Sequence, residues 1–243
     1  MKSEQFIRTE KLIGSISQKK IQESTIAVFG LGGVGSFTVE ALARAGIGTI
    51  IIIDNDTINE SNINRQLFAT HSTVGKLKID IARMRILDIN PNCIVKAYPV
   101  FYKPEETNIT NTLNKDLAQC SYIIDAIDTV SSKLKLYETA QNLNIPIISC
   151  MGTGNKLDAT KFCISDIYKT SVCPLARVIR RECKKRRIKH LKVLYSTETP
   201  RTSIIKNDQE ESRKIAPASI SFVPSVAGLL LAGEVIKEII SKD

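Results

Sequence analysis

No Cys-x-x-Cys pair occurs in the 243 residues; Cys93, Cys120, Cys150, Cys163, Cys173 and Cys183 stand singly. A zinc knuckle built on paired thiolates is therefore excluded. Tryptophan is missing, and the seven Phe and six Tyr are scattered. Reading of bases by rows of stacked rings is not expected from such a chain. The only histidines are His71 and His190. Neither sits in a constellation with a nucleophile, so histidine general-base catalysis has little support. No uninterrupted apolar run reaches the length of a membrane span; the nearest, FVPSVAGLLLAGEVIKEII, carries Glu234, Lys237 and Glu238 and reads as a core helix with one wet edge. The opening MKSEQFIRTE is too polar for a signal peptide, and the thiols are expected to be reduced in a cytoplasmic protein.

What is present is an alternation of apolar strands and helices. Strands are expected at Thr25–Gly30, Thr49–Asp54, Ile94–Val100, Tyr122–Ile127, Ile145–Cys150, Phe162–Ile167 and Val193–Ser196. Helices are expected at Val34–Ala45, Val74–Asn90 and Ser131–Asn142, and from Pro174 to about Arg187. Val74, Leu77, Ile81, Met84 and Leu87 set the second helix's apolar face, and Gly46 suits a left-handed helix end. Uniformly apolar strands between helices imply an α/β, Rossmann-like, mostly parallel sheet covered on both faces. An antiparallel extension is expected in the C-terminal half. One domain is expected, with residues 1–150 a nucleotide-binding half and 151–243 a substrate and dimer half. Its polar segment Thr197–Pro217 reads as a mobile loop or a crossover segment.

Gly30, Gly32, Gly33 and Gly35 lie in GLGGVG, between a predicted strand and a predicted helix. Such a turn brings backbone amides against phosphate. Asp54, at the end of the next strand, is placed to accept from ribose hydroxyls. After it comes IDNDTINESNINRQ, with a second acid, Asp56, then Asn62, Arg65 and Gln66. Lys76 opens the following helix, and Asp128 follows the strand YIIDAI. A nicotinamide cofactor has no use for these cations, whereas a triphosphate does. Arg65 and Lys76 are expected to bracket the phosphates of ATP, with Asp128 holding Mg²⁺ between phosphate oxygens. Arg65, Lys76 and Asp128 are therefore the expected catalytic set.

The series GLGGVGS, IDNDTINESNINRQ, VGKLK and DAIDTVSSK resembles the ThiF/MoeB/HesA superfamily of adenylating enzymes, related to ubiquitin-activating enzyme. The resemblance implies that Asp54, Asn62, Arg65, Lys76 and Asp128 bind ATP and Mg²⁺. It also implies a homodimer, in which Arg8 reaches the neighbouring subunit's site. By residue type alone Arg8 reads as a disordered-tail charge. Carrier-activating members hold a zinc in paired Cys-x-x-Cys motifs, which this chain lacks. The segments SCMGTGNKLDATKFCISDIYKTSVCPLARVIRRE, VLYSTETP and ISFVPSVAG are similar instead to the branch that dehydrates threonylcarbamoyladenosine beside the anticodon of tRNA. That likeness implies adenylation of the threonyl carboxylate, then ring closure with release of AMP. Cys173, before a basic helix, is a packed thiol or a nucleophile, and Cys150 a core thiol. Thr153 and Asn155 are expected to line the substrate side or bind a monovalent cation, K⁺ or Na⁺.

The densest positive stretch is Arg177–Arg187, with seven Lys or Arg. Arg177, Arg180, Arg181, Lys184 and Lys185 are expected to track RNA phosphates, the first four on one helical face; the alternative is a solvated face. The net charge of +9 favours an anionic partner. Two other functions stay open. One is activation of a small ubiquitin-like carrier. The other is a non-catalytic, nucleotide-responsive RNA-binding or sulfur-transfer adaptor that docks a cysteine desulfurase or sulfur-acceptor protein.

Overall fold

The computed structural model describes residues 4–103, 108–202 and 217–241. In chain order the main elements are α1 (Ile7–Ile13), α2 (Ser15–Glu23), β1 (Thr25–Phe29), α3 (Gly35–Ala45), β2 (Thr49–Ile53), α4 (Lys78–Ile89) and β3 (Ile94–Tyr98). There follow α5 (Asn108–Leu117), β4 (Tyr122–Asp125), α6 (Val130–Asn142), β5 (Ile147–Cys150), β6 (Phe162–Asp166), α7 (Pro174–Lys185), β7 (Lys192–Ser196) and α8 (Phe222–Ser241). The strands form one sheet in the order β3-β2-β1-β4-β5-β7-β6. Neighbours are parallel except β6 and β7, which pair antiparallel with Phe162 opposite Ser196. The expected α/β architecture and its antiparallel extension are therefore present.

Alternate residues of β1 serve opposite layers. Ile26 and Val28 join α3, α4 and α8 through Val39, Leu42, Ile86, Leu231 and Val235. Ala27 and Phe29 join α5 and α6 through Leu113, Leu117, Leu136 and Ala140. With both faces covered, a strand has no polar side, which is why β1 and β2 read as unbroken apolar runs. Each large aliphatic side chain so buried contributes about 1.5–3 kcal/mol. A third cluster, with Ile167, Ile179, Val193 and Tyr195, seats α7.

Two packing details set the site's frame. Gly228 of α8 abuts α3 so closely that a Cβ there would lie 2.3 Å from the Val34 carbonyl oxygen. Thr38 Oγ1 donates to the Gly228 carbonyl at 3.1 Å. Gly46 ends α3 with φ of 91°, the left-handed turn expected from the sequence.

Some expectations need correction. Residues 74–77 are turn rather than helix, so α4 begins at Lys78. Its buried face is Ile79, Ala82 and Ile86, while Val74 and Met84 are exposed. Leu77 and Ile81 of the expected face do pack against the core, at the edge of a face shifted by one residue that satisfies three-and-four spacing equally well. Arg8 lies on α1 rather than on an unstructured tail. Most of the segment 197–217, residues 203–216, lies outside the described residues.

Candidate active site

From β1 the chain order runs outward through β2 to β3 on one side, while β4 pairs on the other. Ligands in open α/β sheets bind at this reversal, beyond the strands' carboxyl ends. A cleft of about 1110 Å³ opens there, between the loops after β1, β2, β4 and β5. It exceeds the roughly 300–1,000 Å³ of ordinary small-molecule sites, which suits two substrates.

The glycine loop forms one wall, with Gly30, Gly32 and Gly33 on the cleft. Gly30 has φ of 87°, and a Cβ there would meet the Ala126 carbonyl oxygen at 2.7 Å. A Cβ on Gly35 would lie 1.8 Å from the Gly30 carbonyl oxygen. These two glycines make the turn, whereas a Cβ on Gly32 would meet nothing nearer than Gln66 Nε2, at an ordinary contact distance of 3.9 Å. Gly35→Ala is therefore expected to lower the thermal midpoint and abolish ATP binding. Gly32→Ala is expected to keep the midpoint and weaken ATP alone. Scanning calorimetry and isothermal titration separate the two; equal losses of stability would contradict this division of labour.

Asp54 follows directly on β2 and ties down the glycine loop. Its Oδ2 accepts from Leu31 N at 2.6 Å and its Oδ1 from Asp56 N at 2.8 Å. Burial pushes its carboxyl above the usual range, opposed by the charge of Lys78 and by those two amides. Asn62 is buried, and its Oδ1 accepts from Asn59 N at 3.1 Å, so it braces the loop over the cleft. Gln66 is buried beside Gly32. Arg65 is half-buried on the cleft wall, held by Ser61 O and Asn64 Oδ1, both at 2.8 Å.

Lys76, expected as the second cation, is not placed at the cleft. That side chain is exposed, on the turn before α4, and does not line the cleft. Lys78 lines it instead, with its side chain 7% exposed and Nζ 2.6 Å from Asp56 Oδ2. Its partner Asp56 is well exposed, so an entering phosphate can share the ammonium. Lys78 stands four and eight residues before Ala82 and Ile86, on α4's buried face. With that face assigned correctly, the sequence would have singled out Lys78.

Asp128 also lines the cleft, exposed, its Oδ1 accepting from Thr129 Oγ1 at 3.2 Å. No group of three or more His, Cys, Asp or Glu suited to a metal occurs among the described residues. Mg²⁺ does not require one, since it takes one or two carboxylates and completes its shell with water and phosphate oxygens. A free carboxylate on the same cleft as the glycine loop fits that mode. Thr153 lines the far end of the cleft, near Leu175, Pro217 and Ser219. Asn155 does not line it. Its Oδ1 accepts from Ala218 N at 2.8 Å, and its backbone pairs with Ala218 and Arg201, so its polar groups tie down the chain on either side of 203–216.

Cys150 is on the cleft but buried, and burial pushes its thiol up to about 12. Cys173 is buried at the start of α7 and off the cleft wall. Both are packed thiols, without the exposure a nucleophile needs. His71 and His190 are exposed and off the cleft.

On α7, Arg177, Arg181 and Lys184 are exposed. Arg180 is corrected: its guanidinium turns inward to Thr170 O at 2.7 Å and Thr170 Oγ1 at 2.8 Å. Lys185 pairs with Glu182 at 2.9 Å; that pair and Arg186 hold the Glu182 carboxyl at about 2. Leu175, on the first turn of α7, lines the cleft, whereas the basic side chains of the helix do not.

Arg8 is exposed on α1 and does not line its own chain's cleft. Leu12 and Ile16, on the same helical pair, are 84% and 75% exposed.

Sequence reasoning also missed a buried polar knot behind the cleft. Lys133 and Asp125 are fully buried and 2.8 Å apart, bonded to Tyr137 and Ser149. Removing one member of such a pair costs about 3–5 kcal/mol.

Comparison with known proteins agrees with this geometry. The tRNA threonylcarbamoyladenosine dehydratase of Bacillus subtilis (strain 168) is 43% identical over 245 residues, covering 97% of this chain and 94% of that one. The crystal structure of E. coli tRNA N6-threonylcarbamoyladenosine dehydratase, TcdA, in complex with ATP superposes with a TM-score of 0.85 at 29% identity, covering 98% and 94% of the two chains. Its complex with AMP gives 0.84 at 30%, covering 96% and 93%. The ThiF family model matches residues 6–243, and with that span the chain belongs to the ThiF family.

Proposed function

We propose that this chain is an ATP-dependent tRNA threonylcarbamoyladenosine dehydratase. The observation that carries the reading is the cleft, where the glycine loop, Asp54, Arg65, Lys78 and Asp128 converge in a chain so similar to dehydratases along its whole length.

The ribose of ATP sits on Asp54, and the phosphates lie along the Gly30–Gly33 amides between Arg65 and Lys78. Asp128 would hold Mg²⁺, which when bound would supply positive charge beside the phosphates. A threonyl carboxylate oxygen attacks the α-phosphorus and pyrophosphate leaves. Carboxylate is a poor electrophile because its leaving group would be oxide; adenylation substitutes AMP. A nitrogen of the modified base then attacks the acyl carbon, gives up its proton and expels AMP, which carries away one carboxylate oxygen. The net change in the nucleoside is loss of water. Ring closure is intramolecular, so proximity supplies much of the rate. No cysteine adduct is required, in keeping with the buried thiols at 150 and 173.

Arg8 of a second copy completes the phosphate side, with Leu12 and Ile16 supplying apolar contact in a homodimer. The exposed cations of α7 hold tRNA phosphates while the modified base enters beside Thr153. Exchanging Arg177, Arg181, Lys184 and Arg187 for Gln is expected to weaken tRNA binding and to flatten its dependence on salt, by about 0.7–0.9 in log–log slope per lost phosphate contact. An unchanged slope in filter binding would return those charges to plain solvation.

The functional test is incubation with ATP, Mg²⁺ and tRNA bearing the open modification, followed by nucleoside mass spectrometry. Loss of one water with equimolar AMP is expected. An unchanged nucleoside despite bound ATP would contradict the proposal. The absence of Cys-x-x-Cys pairs sets the chain apart from zinc-bearing activators of ubiquitin-like carriers.

A further inference from the structure

Behind the cleft lies a knot of polar groups that the reaction does not touch. Lys133 Nζ donates to Asp125 Oδ2 at 2.8 Å, to Ser149 Oγ at 3.1 Å and to the Cys150 carbonyl at 2.8 Å. An ammonium has three donors, and all three are used. Tyr137 OH donates to Asp125 Oδ2 at 2.9 Å and lies 2.7 Å from Ser149 Oγ, which donates to the same carboxylate oxygen at 2.6 Å. Both charged side chains have no exposure to solvent.

Stability alone gives no reason for this arrangement. Desolvating two charges offsets most of their attraction, and apolar groups of the same volume often hold a core as well. Geometry gives a reason. Asp125 ends β4, and its Oδ1 accepts from Ile127 N at 3.0 Å, shaping the turn that presents Asp128. Cys150 ends β5, and Lys133 holds its carbonyl just before Met151–Gly154, which form the cleft's far wall. Asp125 and Ser149 are paired in the sheet. One buried ammonium on α6 therefore bonds both strand ends, one leading to the metal and phosphate side, the other to the substrate side.

We propose that Lys133 and Asp125 are positioning residues that hold the Asp128 turn and the Met151–Gly154 wall in fixed register, so that the acyl adenylate made at one is presented to the base held at the other. The inference rests on the dehydratase reading above. With the register lost, adenylation continues but ring closure lags. Water then attacks the acyl carbon, AMP leaves, and the open carboxylate is regenerated.

The readout is the ratio of AMP released to nucleoside cyclised, which a smaller folded fraction does not change. Wild type is expected to give one. The double variant Lys133→Met/Asp125→Asn removes both charges at nearly constant volume, so neither is left buried alone. It is expected to raise the ratio by about tenfold, the scale of a misplacement of under an ångström. A ratio of one in the folded double variant, whatever its rate, overturns the proposal. Should that variant fail to fold, Ser149→Ala removes one hydroxyl and keeps the ion pair. A ratio clearly above one in it supports the coupling, and a ratio of one overturns it. A wild type that forms no cyclic nucleoside sinks the functional reading, and the coupling with it.

Discussion

Lys78→Met is expected to cut dehydration by about 10²–10³-fold, the usual cost of losing one charge-stabilising donor, while Lys76→Met leaves the rate near wild type. The contrast follows from placement. Lys78 is held low on the cleft wall by α4's first turn and by Asp56 at 2.6 Å, whereas Lys76 is exposed and does not line the cleft. A cation already fixed and partly desolvated needs little reorganisation as charge grows on the phosphates. Methionine keeps the aliphatic stem, so α4 should stay seated. Steady-state turnover and circular dichroism check both halves. Full activity in Lys78→Met, or loss in Lys76→Met, would reverse the assignment.

Asp128→Ala is expected to lower turnover by more than about 10²-fold and to abolish the dependence of the remaining rate on Mg²⁺. Among the described residues its exposed carboxylate bonds only to its neighbour Thr129, so the fold should not depend on it. Asp125, three residues earlier, is the opposite case: fully buried and shared among Lys133, Tyr137 and Ser149. Its replacement alone should unfold the chain rather than spare it. A titration of rate against Mg²⁺ in folded Asp128→Ala checks the first claim. A wild-type curve would remove Asp128 from metal binding.

These two aspartates show which features were legible in sequence. The glycine turn was, because only Gly fits at Gly30 and Gly35, and its place between strand and helix fixes its use. Strands β1 and β2 were, because burial on both faces leaves only apolar residues after their first threonine. The position of the second cation was not. Lys76 and Lys78 are the same residue type two apart, and the choice depends on where α4 begins, which the turn at 74–77 and the Thr57–Leu77 bridge decide. Arg180 likewise looks like its neighbours, and only the approach of Thr170 turns it inward. The Lys133 knot was invisible because a Lys on a helix reads as solvated until the fold places an aspartate and two strand ends around it. Helices α1, α2 and α5 also went unanticipated; all three are polar segments whose seating depends on neighbours distant in the chain.

The central claim is that the threonyl carboxylate attacks the α-phosphorus of ATP in this cleft. Supplying tRNA whose threonyl carboxylate carries heavy oxygen, and weighing the products, tests it most directly. One labelled oxygen is expected in the phosphate of AMP, the other retained in the cyclised nucleoside, with pyrophosphate unlabelled. Unlabelled AMP alongside cyclised nucleoside, or label in a released phosphate other than AMP, would contradict the mechanism.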